Sequence, residues 1–195
     1  MHRTQNNTEK MPDPEELTRL HQKLNYHYPQ SYLLAWAQGV RPDWAEFLHR
    51  VFTEDVPSLL CVGEAERLVM DLGCGPSIAN IISASSWSHR IYMAELLEGN
   101  RREISKYLSR AEDAWDWSPY FDFHSELETD QDPDSLEQRV RKSITGILEC
   151  DLATEQVFDK TVFDQQVDIL ICSLVFDVVC TDIDQFKVVL NRALR

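Results

Sequence analysis

Positive charge is in short supply in this chain. Nineteen Lys and Arg stand against 33 Asp and Glu over 195 residues, a formal net charge of −14. A surface that negative repels phosphate backbones and anionic lipid. Nucleic acid and membrane are therefore poor partners, and a neutral or cationic small molecule suits the charge better. The same acidity also reads as an aid to solubility alone. Long apolar runs are missing as well: no stretch of about 18 apolar residues is present to cross a bilayer. The polar opening MHRTQNNTEKMPDPEE lacks the apolar core of a signal peptide. The five cysteines, Cys61, Cys74, Cys150, Cys172 and Cys180, show neither a C-x-x-C pair nor a zinc-ligand spacing, so no metal site is expected. Cys150 and Cys172 sit in apolar runs and read as small core residues. These absences predict a cytoplasmic protein in a reducing setting.

What remains is ordinary for a folded domain: 43% hydrophobic and 27% charged residues, in a length that suits one domain. Residues 1–13 are expected to be a flexible tail. One or two helices are predicted from Pro14 to about Ala37, interrupted near Pro29, with Ser31 as the cap of the second piece. Asp43 is the expected N-cap of the next helix, WAEFLHRVF, whose Trp44, Phe47, Leu48 and Val51 mark one apolar face. These segments form a helical cap over 14–60, and residues 61–195 form the core beneath it.

The core alternates strand with helix. Strands are predicted at Leu68–Leu72, Arg90–Ala94, Thr145–Glu149 and Val167–Leu174. Helices are predicted at Pro76–Ser85, Gly99–Arg110, Leu136–Ser143 and Asp182–Leu194. Residues 111–134 read as irregular, acidic and aromatic. Strand–helix alternation implies right-handed crossovers, a parallel α/β sheet of the Rossmann-like kind, and ligands at the carboxyl ends of the strands.

Glycine is scarce, with only six in the chain, yet Gly73 and Gly75 follow directly on the first strand in RLVMDLGCGPSIAN. A Gly-x-Gly turn after a parallel strand lets backbone N–H groups approach a ligand closely, because no Cβ intervenes. The dinucleotide fingerprint G-x-G-x-x-G has Ile78 at its third position here, which disfavours a nucleotide-binding oxidoreductase. Pro76 removes one donor, and Asp71 adds negative charge; both suit a cationic or amino-bearing ligand better than a phosphate. The pattern D-L-G-C-G-P matches the turn that binds S-adenosylmethionine. An acid at the end of the following strand then accepts hydrogen bonds from the ribose hydroxyls, and Glu95 stands there. The alternative is a turn kept for backbone geometry, with Glu95 merely solvated.

The chain resembles the family of small-molecule methyltransferases that act on nicotinamide, phenylethanolamine, indolethylamines and thioethers. The resemblance runs from about Tyr28 to the C-terminus. It is carried by YPQSYL, DLGCGPSI, ELLEGNRREISKYL, AWDWSPYF, ILECDL and DILICSLVFDVVCTD. It implies S-adenosyl-L-methionine as cofactor. Tyr32 would lie over it, and Gly73, Cys74, Gly75 and Ser77 would surround its amino-acid part. Glu95 would hold the ribose with Asn100 nearby. Asp151 and Leu152 would flank the adenine, and Ser173 and Leu174 would face the sulfonium. Tyr32 and Trp36 also read as an apolar helix face, and Asp151 as a helix cap. Asp177 matches a family acid without a clear chemical role. Two positions depart from the pattern: Ala37 and Ala79 stand where family members often carry tyrosine, which removes aromatic surface from the cofactor's edge.

The family fold has seven strands in the order 3-2-1-4-5-7-6, and only the first four are legible here. The run DILICSLVF is apolar enough to be covered on both faces and paired on both sides. As an edge it would invite self-association. The sequence thus predicts a C-terminally truncated domain. Its implied activity is methyl transfer from S-adenosylmethionine to a nitrogen of a small nicotinamide- or amine-like acceptor. The alternative is an inactive binding or regulatory module without an acceptor pocket. No metal, no covalent intermediate and no particular base is implied.

Overall fold

The computed structural model describes residues 23, 27–59, 67–129 and 131–194. The predicted tail, the expected helix start at Pro14, and Cys61 lie outside them. Residues 27–36 form helix α1, and Pro42–Arg50 form α2, which runs through a π-helical segment, Val51–Asp55, into α3, Val56–Leu59. The core follows as β1 (Leu68–Leu72), α4 (Ile81–Ala84), β2 (Arg90–Glu95), α5 (Glu98–Ser109), α6 (Ser118–Leu127), α7 (Pro133–Ser143), β3 (Ile144–Glu149), β4 (Ile169–Ile171), α8 (Val175–Val179) and α9 (Ile183–Ala193).

The four strands form one parallel sheet in the order β3-β2-β1-β4, a Rossmann-like arrangement. β1 lies centrally and is buried along its whole length. Its side chains alternate between two cores, as the period of a strand requires. Val69, with Ile91 and Met93 of β2, joins a core built from Leu33, Leu48, Ile78, Ile82, Ile104, Phe121 and Val140. Leu68, Met70 and Leu72 join the opposite core, with Ala94, Leu148, Val157, Phe163 and Val189. Leu33 and Leu48 bring α1 and α2 onto the first core, so the cap packs on the sheet's first face.

Several local expectations are corrected. Pro29 does not interrupt α1: residues 27–36 are helical on both sides of it. Ser31 is not a cap; its hydroxyl donates back to the His27 carbonyl at 3.0 Å. Arg41, not Asp43, occupies the N-cap position of α2, with extended backbone and no side-chain cap. Pro76 does not open a helix. The chain turns until Asn80, because the Ser77 hydroxyl accepts the Ala79 N–H and the Ile78 carbonyl accepts the Ile81 N–H. Residues 111–134 contain α6, started where the Asp116 carboxylate accepts the Ser118 N–H at 2.9 Å. β4 has three residues rather than eight and pairs with β1 alone among the described strands. Asp182 caps α9, accepting the N–H groups of Asp184 and Gln185 at 2.9 Å.

Candidate functional site

The carboxyl ends of the strands open into a cavity of about 810 Å³, roofed by α1 and the start of α2. All ten residues singled out from the sequence line it: Tyr32, Gly73, Cys74, Gly75, Ser77, Glu95, Asn100, Asp151, Leu152 and Ser173. Leu174 lines it as well, whereas Asp177 is exposed on α8 and does not.

The glycine turn continues the sheet before leaving it. The N–H groups of Gly73 and Cys74 both donate to the Ala94 carbonyl, at 2.8 and 3.2 Å. Gly73 and Gly75 have φ of 70° and 61°, in the left-handed region that glycine alone enters without strain. The room left by the absent side chains is used differently at the two positions. At Gly73 it is filled by Val175 of α8. At Gly75 it faces the Tyr32 ring, whose Cζ would lie 3.9 Å from an added Cβ. Protein, not open space, thus stands over the first glycine.

Glu95 is the organiser of this turn. One carboxylate oxygen accepts the Gly75 N–H at 3.0 Å. The other accepts the Leu97 N–H at 2.9 Å and the Asn100 amide at 3.0 Å. Glu95 is therefore not merely solvated: it is 8% exposed and ties β2, the turn and α5 together. A carboxylate has about four acceptor sites, so one remains for a ligand. Beside it the Asn100 carbonyl oxygen is buried and has no hydrogen-bond partner. A buried acceptor without a donor costs free energy on the order of 1–3 kcal/mol. Two neighbouring acceptors of this kind match the two hydroxyl donors of a ribose diol.

The remaining predicted residues are held by their own chain. Asp151 turns the segment after β3, its carboxylate accepting the Ala153 N–H at 2.9 Å. The alternative reading of Asp151 as a helix cap is corrected: no helix follows it directly, and it caps a turn. Leu152 belongs to the second core while it lines the cavity. Leu174 has a φ of 61°, uncommon for a branched residue, and stands 67% exposed at the mouth. Cys74, Cys150 and Cys172 all line the cavity. Burial pushes Cys74 up strongly, Cys150 up to about 12 and Cys172 up to about 11. They are neutral thiols rather than nucleophiles.

Sequence reading set Asp71 beside the turn but gave no role to Asn80, His124 or Tyr120. Asp71 is wholly buried behind the turn, and burial pushes its carboxyl up to about 7, helped by the Glu95 charge and opposed by Asn80. The Asn80 amide donates to both Asp71 oxygens at 3.3 and 3.4 Å, and its carbonyl oxygen accepts the Trp44 indole N–H at 3.1 Å. Asp71 is visible in the motif, but the relay that joins it to α2 spans 36 residues between Trp44 and Asn80 and has no local signal. His124 also lines the cavity, buried, with its pKa pushed down to about 4, chiefly by desolvation. The AWDWSPYF motif supports the roof from below: Trp117 and Tyr120 meet edge to face at 5.1 Å, and the Tyr120 hydroxyl donates to the Gly39 carbonyl at 3.1 Å. Among the described residues no group of three His, Cys, Asp or Glu is placed to hold a metal ion. None of their helices is long and apolar enough to cross a membrane.

The chain is similar in sequence to several named N-methyltransferases. Human nicotinamide N-methyltransferase is 25% identical over 176 residues, which cover 88% of this chain and 64% of that protein. Mouse indolethylamine N-methyltransferase is 29% identical over 134 residues, covering 67% of this chain and 49% of the relative. Mouse phenylethanolamine N-methyltransferase is 27% identical over 129 residues, covering 65% and 43%. The chain thus spans less than two thirds of the length of these relatives. The same segments that build the cavity fall inside residues 16–195, which match the profile of the NNMT/PNMT/TEMT family, and the chain belongs to that family.

Proposed function

We propose that the cavity binds S-adenosylmethionine and that the protein serves methyl transfer to a nitrogen of a small acceptor. The observation that carries this reading is the pair of acceptors at the end of β2: the Glu95 carboxylate with one site free, and the unpartnered Asn100 carbonyl oxygen. They suit the ribose diol. Asp151 and Leu152 stand at the end of β3, where an adenine would be flanked. Gly73, Cys74, Gly75 and Ser77 offer the wall for the amino-acid part. Relatives named as N-methyltransferases of nicotinamide, indolethylamine and phenylethanolamine support the acceptor class.

When bound, S-adenosylmethionine supplies a methyl group already activated by its sulfonium. The contribution of the chain is binding, orientation and exclusion of water. Glu95 and Asp151 give the cavity a negative lining that favours a sulfonium cation over a neutral analogue. Tyr28 and Tyr32, with ring centroids 5.9 Å apart, form an aromatic wall that keeps water from the ligand. The chemistry leaves the buried thiols unused, since an acceptor nitrogen is itself the nucleophile.

Calorimetric titration with S-adenosylmethionine and S-adenosylhomocysteine tests the reading. Wild-type protein is expected to bind both. Asn100→Ala, which removes the orphaned acceptor, and Glu95→Gln, which weakens the acceptor pair, are each expected to lower affinity about tenfold or more. A folded wild-type protein that gives no binding overturns it. Incubation with methyl-labelled cofactor and a panel of small heteroaromatic and aliphatic amines then tests transfer itself.

A further inference from the structure

Arg41 is the one arginine or lysine that lines the cavity among the described residues. The other nitrogen base there, His124, is held neutral by burial at ordinary pH. Two carboxylates, Glu95 and Asp151, share the same walls. Any anionic group of a ligand that enters therefore meets repulsion, and Arg41 is the side chain available to offset it.

The position of Arg41 is fixed from both ends. Its backbone occupies the N-cap of α2, and its carbonyl accepts the N–H groups of Trp44 and Ala45 at 3.1 and 3.0 Å. Its guanidinium stacks on the Trp36 ring, with Cζ 4.6 Å from the centroid. No carboxylate among the described residues forms an ion pair with it, so its in-plane donors are left for another anion. The positive charge is felt by both Tyr32 and Tyr120, in each case opposing the effect of burial. Tyr32 in turn packs over Gly75. The guanidinium thus lies on the wall of the cavity that α1 and the start of α2 supply, the wall whose Tyr32 covers Gly75. The wall residues Ala37 and Ala79 have methyl side chains without a donor.

We propose that Arg41 holds the carboxylate at the amino-acid end of the cofactor. The assignment rests on the cofactor reading above and adds to it the group that anchors that end. A planar guanidinium and a carboxylate form two parallel charge-assisted hydrogen bonds, and a guanidinium already stacked and anchored loses little freedom in making them. The arrangement also explains how a cavity lined by two carboxylates accepts a ligand that carries a third: the ligand carboxylate faces the single arginine.

The test compares two probes that differ at that end. S-adenosylhomocysteine carries the amino-acid carboxylate; 5′-methylthioadenosine keeps adenosine and thioether sulfur but has no amino-acid part. Both are titrated into the 195-residue protein and into Arg41→Gln and Arg41→Lys. Arg41→Gln is expected to weaken S-adenosylhomocysteine about tenfold or more while leaving 5′-methylthioadenosine within about twofold. Arg41→Lys, with charge but no fork, is expected to fall between. Retained binding of 5′-methylthioadenosine shows that the variant's cavity is intact. Equal weakening of both probes, or no change in either, overturns the assignment. Wild-type protein that binds neither probe overturns the cofactor reading and this assignment with it.

Discussion

Val175 occupies the space that a side chain on Gly73 would need: a Cβ built there would lie 2.1 Å from Cγ2 of Val175. Gly73 also has a φ of 70°. Gly73→Ala therefore meets backbone strain and overpacking together, and is expected to cost roughly 2–5 kcal/mol in denaturant melts. The two causes separate in a double variant. Gly73→Ala with Val175→Gly, which removes both the Cβ and the Cγ atoms that crowd the position, is expected to recover the packing part and leave the strain. With the Val175 side chain removed entirely, no recovery would show that strain alone sets the cost.

The Asn80 amide joins the roof to the floor, accepting a hydrogen bond from the Trp44 indole N–H on one side and donating to Asp71 on the other. Trp44→Phe removes one partly exposed hydrogen bond, and a loss of about 1 kcal/mol is expected. Asn80→Ala removes from a fully buried carboxyl its hydrogen-bond donor among the described residues. A cost on the order of 2–3 kcal/mol is expected, larger above neutral pH where Asp71 is charged. Urea melts of the two variants at pH 6 and pH 8 check the ranking (two conditions that bracket the raised value of about 7).

Asp71 and His124 make stability depend on pH in opposite directions. Asp71 rises from 3.8 to about 7 on folding, so the folded state holds the extra proton. The stability linked to it is complete below 3.8 and is lost as pH rises through about 7. His124 falls from 6.5 to about 4, so the stability linked to it is present above 6.5 and lost as pH falls through about 4. The two slopes oppose each other in wild-type protein. Asp71→Asn is expected to leave stability rising with pH across this range, and His124→Gln to leave it falling. Thermal melts from pH 4 to pH 8 read both slopes; slopes of the same sign in the two variants would refute the pair.

The rim beyond β4 exposes Leu174, Val178, Ile183 and Val188, at 67%, 82%, 63% and 49%. Among the described residues β4 pairs on one side only, and a free strand edge favours pairing with another copy. Sedimentation velocity is expected to show concentration-dependent association, reduced by Ile183→Lys with Val188→Lys on α9. A monomer unaffected by concentration would mean that the surrounding acids already keep copies apart.

The path from sequence to site was clear where period and turn chemistry agree. β1 and β2 alternate between two cores, a glycine pair must turn where its positive φ is needed, and Glu95 ends the next strand. Those signals are local. The start of α4 was misread because Pro76 suits a helix's first turn, whereas the Ser77 hydroxyl and the Ile78 carbonyl take the nearby N–H groups first. α6 was hidden by an aromatic and acidic composition without a strong apolar period. Arg41 has no local sequence signal that sets it apart from a solvated charge. Only the folded chain brings it to Trp36 and to a cavity whose other charges are acids. β4 was overextended because DILICSLVF is apolar throughout, yet Leu174 takes a left-handed conformation and starts α8.

The three hydrogen bonds that Glu95 accepts from Gly75, Leu97 and Asn100 have a kinetic consequence. They hold the turn in shape by protein contacts alone, so an arriving ligand need not wait for the wall to assemble. Association should then be a single exponential whose rate grows in proportion to ligand concentration, with no plateau from a slow rearrangement. Glu95→Ala releases the Gly75 and Leu97 N–H groups, and its cost would be felt in how rarely a visiting ligand finds the wall formed, as well as in how quickly it leaves.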